Sequence, residues 1–205
     1  MYKRITNRFW MASGAVLALG FGAQTQAGAQ NLLDWQASGG SGAIQSIAPF
    51  TMKNVTANDN IRCGKRSMGI NLVWDSGANN NVRFSKQTGS GDVKYGEPIA
   101  VSMSGGGFLK YEKTRFGINL VYSSTPAYEW RIGGGEPNQS VKFGDRFALL
   151  SDVEHDAMIY GKRPVGINLV WMKDFHKTTW GRIKDATVSR IRKEAGDFLK
   201  KYFGS

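Results

Sequence analysis

Apolar and polar positions alternate along this chain in short runs, and the runs return at a fixed interval. The phrase Lys65-Arg-Ser-Met-Gly-Ile-Asn-Leu-Val-Trp74 comes back as Lys113-Thr-Arg-Phe-Gly-Ile-Asn-Leu-Val-Tyr122 and as Lys162-Arg-Pro-Val-Gly-Ile-Asn-Leu-Val-Trp171. Its glycines, Gly69, Gly117 and Gly166, are 48 and 49 residues apart. Two and four places before each lysine stand Cys63 and Ile61, Tyr111 and Leu109, Tyr160 and Met158, the period-two pattern of a half-buried strand. Further upstream, Val93-Lys-Tyr-Gly-Glu-Pro-Ile-Ala-Val101 corresponds to Val141-Lys-Phe-Gly-Asp-Arg-Phe-Ala-Leu149, and Phe50 takes the place of Ile99 and Phe147. Each repeat then carries about four strands, placed around Ile99, around Tyr111, along Gly-Ile-Asn-Leu-Val, and around Trp130. Glycine and small polar residues separate them, as at 104–107, 123–125 and 133–135.

Three such units make an all-β chain of twelve strands over residues 44–183. A unit this short buries its apolar face only against its neighbours. Three units that close on themselves suit a barrel with pseudo-threefold symmetry. In period, strand count and the Tyr95-Gly96-Glu97 and Phe143-Gly144-Asp145 openings, the chain resembles a β-trefoil. The Gln-x-Trp signature of ricin-type trefoil lectins is missing from all three repeats. The threefold β-prism is the alternative, but its monocot-lectin Gln-Asp-Asn-Tyr pattern is not met.

Residues 1–29 read as a secretory signal peptide: Lys3, Arg4 and Arg8, then an apolar run from Met11 to Ala23, then the small-x-small site Ala27-Gly28-Ala29. This implies export to a bacterial periplasm, outer surface or medium. Disulfides form in such places, yet Cys63 is the single cysteine and is expected as a buried, inert thiol. Residues 30–43 begin with Leu32, Leu33 and Trp35, expected as a small apolar patch laid on the barrel, and end as a Gly/Ser linker. Over residues 184–205 the period changes. Val188, Ile191, Ala195, Phe198 and Tyr202 follow at spacings of three and four, which predicts an amphipathic α-helix ended by Gly204.

The formal net charge is +11, of which the first 29 residues hold three, leaving +8. Half of that excess lies from residue 181 onward. Arg190, Arg192, Lys193, Lys200 and Lys201 lie largely off the apolar face, so two roles are open: a helix docked on the barrel with its charges in water, or a contact to an anionic membrane or protein partner. Export argues against nucleic acid and leaves anionic envelope polymers as its counterpart.

No catalytic, metal or cofactor pattern stands out. The two histidines, His155 and His176, are in no metal-ligand spacing, and Glu154-His155-Asp156 reads as a solvated turn. No nucleophile elbow or phosphate loop occurs. The chain reads as a non-enzyme.

The candidate ligand residues are the recurring ones. Trp74, Tyr122 and Trp171 are either core or stacking platforms for sugar rings. Asn71, Asn119 and Asn168 sit where a strand disfavours asparagine; they bond a neighbouring hairpin or contact a polar ligand. Lys65, Lys113 and Lys162 are solvated, or else form a three-point anion site. Exported single-domain trefoils are often lectin-like, so the resemblance implies a binding module for carbohydrate or an anionic envelope polysaccharide, with no cofactor. The alternatives are a protease-inhibitor-like or scaffold protein, and a membrane-active toxin component.

Overall fold

The computed structural model describes residues 32–177 and 185–204, the side chains of 175–177 and 185–192 excepted. The expected signal peptide lies outside the described residues. The fold is an antiparallel curled sheet of twelve strands with one C-terminal helix. The strands are β1 (Trp35–Ser38), β2 (Thr51–Asn54), β3 (Asp59–Cys63), β4 (Leu72–Asp75), β5 (Val82–Lys86), β6 (Ile99–Met103), β7 (Gly107–Tyr111), β8 (Leu120–Ser123), β9 (Trp130–Gly133), β10 (Arg146–Ser151), β11 (Asp156–Tyr160) and β12 (Leu169–Trp171). A 3-10 helix, Met172–Lys177, follows, and α1 spans Asp185–Phe203.

Two expectations about the strands need correction. Gly-Ile-Asn is not strand: in each copy the chain bends through these residues and pairing begins only at the leucine. The glycines have φ of 76°, 94° and 86°, a left-handed conformation incompatible with a ladder and cheap only for glycine. The unit also begins one strand earlier than the sequence suggested. Trp35, Val82 and Trp130 open β1, β5 and β9 at intervals of 47 and 48 residues. Thus Trp35–Ser38, expected to lie ahead of the barrel in a segment leading to a linker, is a strand of the sheet.

β1 pairs with β2 and with β10. β9 pairs with β10 and with β6. β5 pairs with β6, and Phe50 exchanges both backbone hydrogen bonds with Val82. The pairs β3–β4, β7–β8 and β11–β12 are hairpins joined by the repeated loops. Inward residues of all units form one core, with Trp35, Phe50, Phe84, Trp130 and Phe147 fully buried. Rings meet edge-on, as Phe50 and Phe84 do at 4.8 Å between centroids. Cys63 is a half-buried free thiol packed against this core.

Asp34 locks the start of the sheet. It is buried, and its carboxylate accepts from Asn54 Nδ2 (2.8 Å), Tyr160 N (2.6 Å), Thr56 N (3.0 Å) and Thr56 Oγ1 (2.5 Å). Four donors offset the cost of burying the charge. They join the segment before β1 to the β2–β3 turn and to β11.

A second apolar cluster lies on the outside of the last four-strand unit. Leu150, Ala157, Ile159, Val170 and Met172 are buried there together with Leu32 and Ala195, and Phe198, Leu199, Tyr202 and Phe203 of α1 pack on them. The Tyr202 hydroxyl accepts from Gly134 N at 2.7 Å and donates to Gly135 O at 2.8 Å. The C-terminal helix is therefore docked on the sheet by its apolar face. Leu32 and Leu33, expected as a patch on the barrel, are part of this cluster.

Candidate functional site

Each repeated loop is built by its asparagine. Asn71 Oδ1 accepts from Arg66 N (3.0 Å), Asn119 Oδ1 from Thr114 N (3.2 Å) and Asn168 Oδ1 from Arg163 N (3.1 Å). The backbone carbonyls of the same three asparagines accept from Gly64 N, Glu112 N and Gly161 N. A side chain bonding its own backbone in this way competes with the ladder and rounds off a loop. Of the two roles open for the asparagines, the structure places these side-chain oxygens in a local backbone bond.

The three loops meet. A methyl group built on Gly69 would lie 3.6 Å from Gly166 Cα and 3.7 Å from Gly117 Cα, and one built on Gly166 would lie 3.3 Å from Gly117 Cα. Only the contact at Gly166 is tight; what favours glycine at all three places is the positive φ. Arginines stitch the junction together. Arg66 Nη2 donates to Gly166 O at 2.6 Å, and Nη1 reaches Leu72 O at 3.4 Å. Arg163 repeats this toward Gly117 O (2.6 Å) and Leu169 O (3.5 Å). Burial pulls the Arg163 guanidinium below its ordinary pKa, and the nearby Asp174 opposes this. The second loop has Thr114 at the corresponding place, and its hydroxyl donates to Phe116 O at 2.8 Å.

The face around this junction is basic, with exposed apolar tips. Lys65, Lys113, Lys162 and Arg115 are exposed, and so are Met68 and Phe116. Arg115 carries its guanidinium 5.3 Å from the centroid of the Phe116 ring. Between the first and second loops lies a surface cleft of about 360 Å³, bounded by Gly69, Ile70, Thr114, Phe116, Leu120 and Tyr122 among others.

The three recurring aromatics differ in exposure. Trp171 is buried, stacks on Trp130 and donates Nε1 to Ile118 O at 3.1 Å. Trp74 is half-buried against Trp35, with its indole nitrogen enclosed and unbonded. Tyr122 lies over Gly106, and its hydroxyl donates to Asn71 O at 3.1 Å. Burial, followed by the proximity of Cys63, holds that hydroxyl protonated far above neutral pH. Trp171 is therefore a core residue, while Trp74 and Tyr122 pack on the core with part of each side chain left exposed, Tyr122 at the edge of the cleft.

On the helix, Lys193, Lys200 and Lys201 are exposed, and Lys201 pairs with Glu136 at 2.9 Å. The side chains of Arg190 and Arg192, and that of His176, lie outside the described residues. The turn at 154–156 is only partly the solvated one expected. His155 is exposed with φ 50°, but Asp156 is buried, its oxygens accepting from Ala157 N and Lys173 N at 2.8 Å each. Among the described residues, no three His, Cys, Asp or Glu side chains are grouped to hold a metal, and no helix is long and apolar enough to cross a membrane. No family model, curated protein or solved structure matches this chain.

Proposed function

We propose that this chain is an exported β-trefoil binding module whose loop face recognises an anionic polysaccharide of the cell envelope. The trefoil reading is supported by pairings that lead from β1 through the sheet back to β1, and by three loops with matching internal bonds. The observation that carries the ligand class is the meeting of three loops, each of which carries an exposed lysine at the corresponding place. Such a face attracts a polyanion, and its lysines, standing at three corresponding places, suit a ligand that itself repeats. With Trp171 in the core, the three recurring rings do not offer a neutral sugar three equivalent places to stack. This favours the anionic member of the carbohydrate class. The basic side of α1 adds to the attraction, while its apolar side is taken up by the sheet.

The test is a glycan array carrying acidic and neutral envelope polysaccharides, probed at two salt concentrations. Binding to acidic polymers that weakens steeply with salt, and falls about tenfold or more in the K65A/K113A/K162A variant, is the expected result. Salt-resistant binding to neutral glycans would replace this reading with a conventional lectin. Silence on the array would replace it with a protein partner.

A further inference from the structure

In two of the three loops an arginine is held by a pair of backbone carbonyls. One belongs to the loop's own strand (Leu72 O, Leu169 O), and the other to the glycine of a neighbouring loop (Gly166 O, Gly117 O). Continued round the junction, the same relation in the second loop names Leu120 and Gly69. Both border the 360 Å³ cleft. The residue that would supply the guanidinium there is Thr114, whose side chain is too short and is turned to Phe116 O.

We propose that this cleft is a receptor for a guanidinium group brought by an arginine side chain of a partner peptide or protein. The two carbonyls would take its N–H groups as their counterparts take those of Arg66 and Arg163. The walls suit the rest of the side chain. Ile70 and Leu120 line its apolar floor, and the ring of Tyr122 borders the site where a planar cation stacks well; Phe116 and Arg115 also line it, with the Arg115 guanidinium already against the Phe116 ring. The surrounding positive charge opposes any cation, yet Arg66 and Arg163 are held on this same face. Selection for a guanidinium over an ammonium follows from geometry, because a planar fork reaches two carbonyls at once. This site takes the opposite charge from the polysaccharide face and does not depend on it.

The experiment uses protein purified from cells expressing the full chain, titrated with N-acetyl-arginine methylamide and followed by amide NMR shifts. The neutral citrulline analogue and the lysine analogue are run alongside. The expected result is saturable shifts at residues 69–71 and 114–122, with the arginine compound at least about tenfold tighter than either analogue. T114R places a guanidinium on the chain itself and should raise Tm while abolishing the titration. Equal binding of arginine and citrulline analogues, or undiminished arginine binding in a folded T114R, would overturn the proposal. Should T114R not fold, R66A supplies the second arm: ethylguanidinium restores more of its lost Tm than ethylammonium does. Equal restoration by the two cations would also overturn it. An R115A variant binding the arginine compound about tenfold more tightly than wild type would assign the cleft to the chain's own Arg115 instead.

Discussion

The indole of Trp35 donates to the carbonyl of Met158 at 2.7 Å, joining residues 123 positions apart inside the core. Trp130 makes a corresponding bond to Leu109 O at 2.9 Å. Trp35 opens β1 and reaches β11, and Trp130 opens β9 and reaches β7. Trp35→Phe keeps most of the apolar volume but removes this hydrogen bond, which costs about 0.5–1.5 kcal/mol. Urea unfolding should show that loss. A stability unchanged from wild type would mean that the indole bond is dispensable.

Two glycine-to-alanine changes should act in opposite directions. At Gly166, φ is 86° and a Cβ would stand 3.3 Å from Gly117 Cα, so alanine is strained twice and should cost roughly 1–3 kcal/mol. Gly196, in the middle of α1, has open space where a Cβ would go. Gly196→Ala should stabilise by about 0.5–1 kcal/mol. Thermal unfolding of the two variants beside wild type gives the signs directly.

The asparagines should behave as loop residues. Asn119 combines φ 58° with a side-chain bond to Thr114 N. Asn119→Ala loses the bond and keeps the strained backbone, so it should cost about 1–2 kcal/mol. Asn119→Gly relieves the backbone and should cost less. Measured on folded protein, polysaccharide affinity should be the same in both variants, whereas Lys113→Ala should weaken it with little change in Tm.

Burial pushes the Asp156 carboxyl up to about 6, against the opposing effect of two backbone N–H groups and Lys173, with Asp174 nearby raising it further. Because its folded pKa exceeds the unfolded value, the native state binds more protons than the unfolded chain between about pH 4 and 6. The contribution of this group to stability therefore falls as pH rises through that window and stays low above it. Asp156→Asn should flatten this part of the profile, by on the order of 2 kcal/mol between its ends. Tm measured against pH for the two proteins tests this. Parallel profiles would rule it out.

Tyr202→Phe removes both hydroxyl bonds to the 134–135 turn while leaving the ring in place. Amide exchange across α1 should quicken by about three- to tenfold, with exchange in β6 and β9 unaltered. The docking site of this helix was legible in principle. In the last unit Leu150 and Ile159 stand where the middle unit has Ser102 and Lys110, so its outward strand positions are apolar and need a cover. Reading each repeat for likeness hides that difference; reading it for departures finds it.

From the sequence alone came the period, the all-β class, most of the strands with their apolar faces, and the amphipathic helix at the C-terminus. These depend on local spacing: two residues per turn of a strand, about 3.6 per turn of a helix. What Gly-Ile-Asn does was beyond that reach, because its apolar neighbours make it look like strand while the left-handed glycines forbid one. Only the folded chain brings Gly69, Gly117 and Gly166 into contact. That meeting decides why Arg66 and Arg163 point across rather than outward, and why Thr114 leaves a cleft. The rings of Trp74, Tyr122 and Trp171 were equally undecidable in one dimension. A tryptophan on a half-buried strand serves core or ligand according to what the rest of the chain lays over it, and here that is the neighbouring unit.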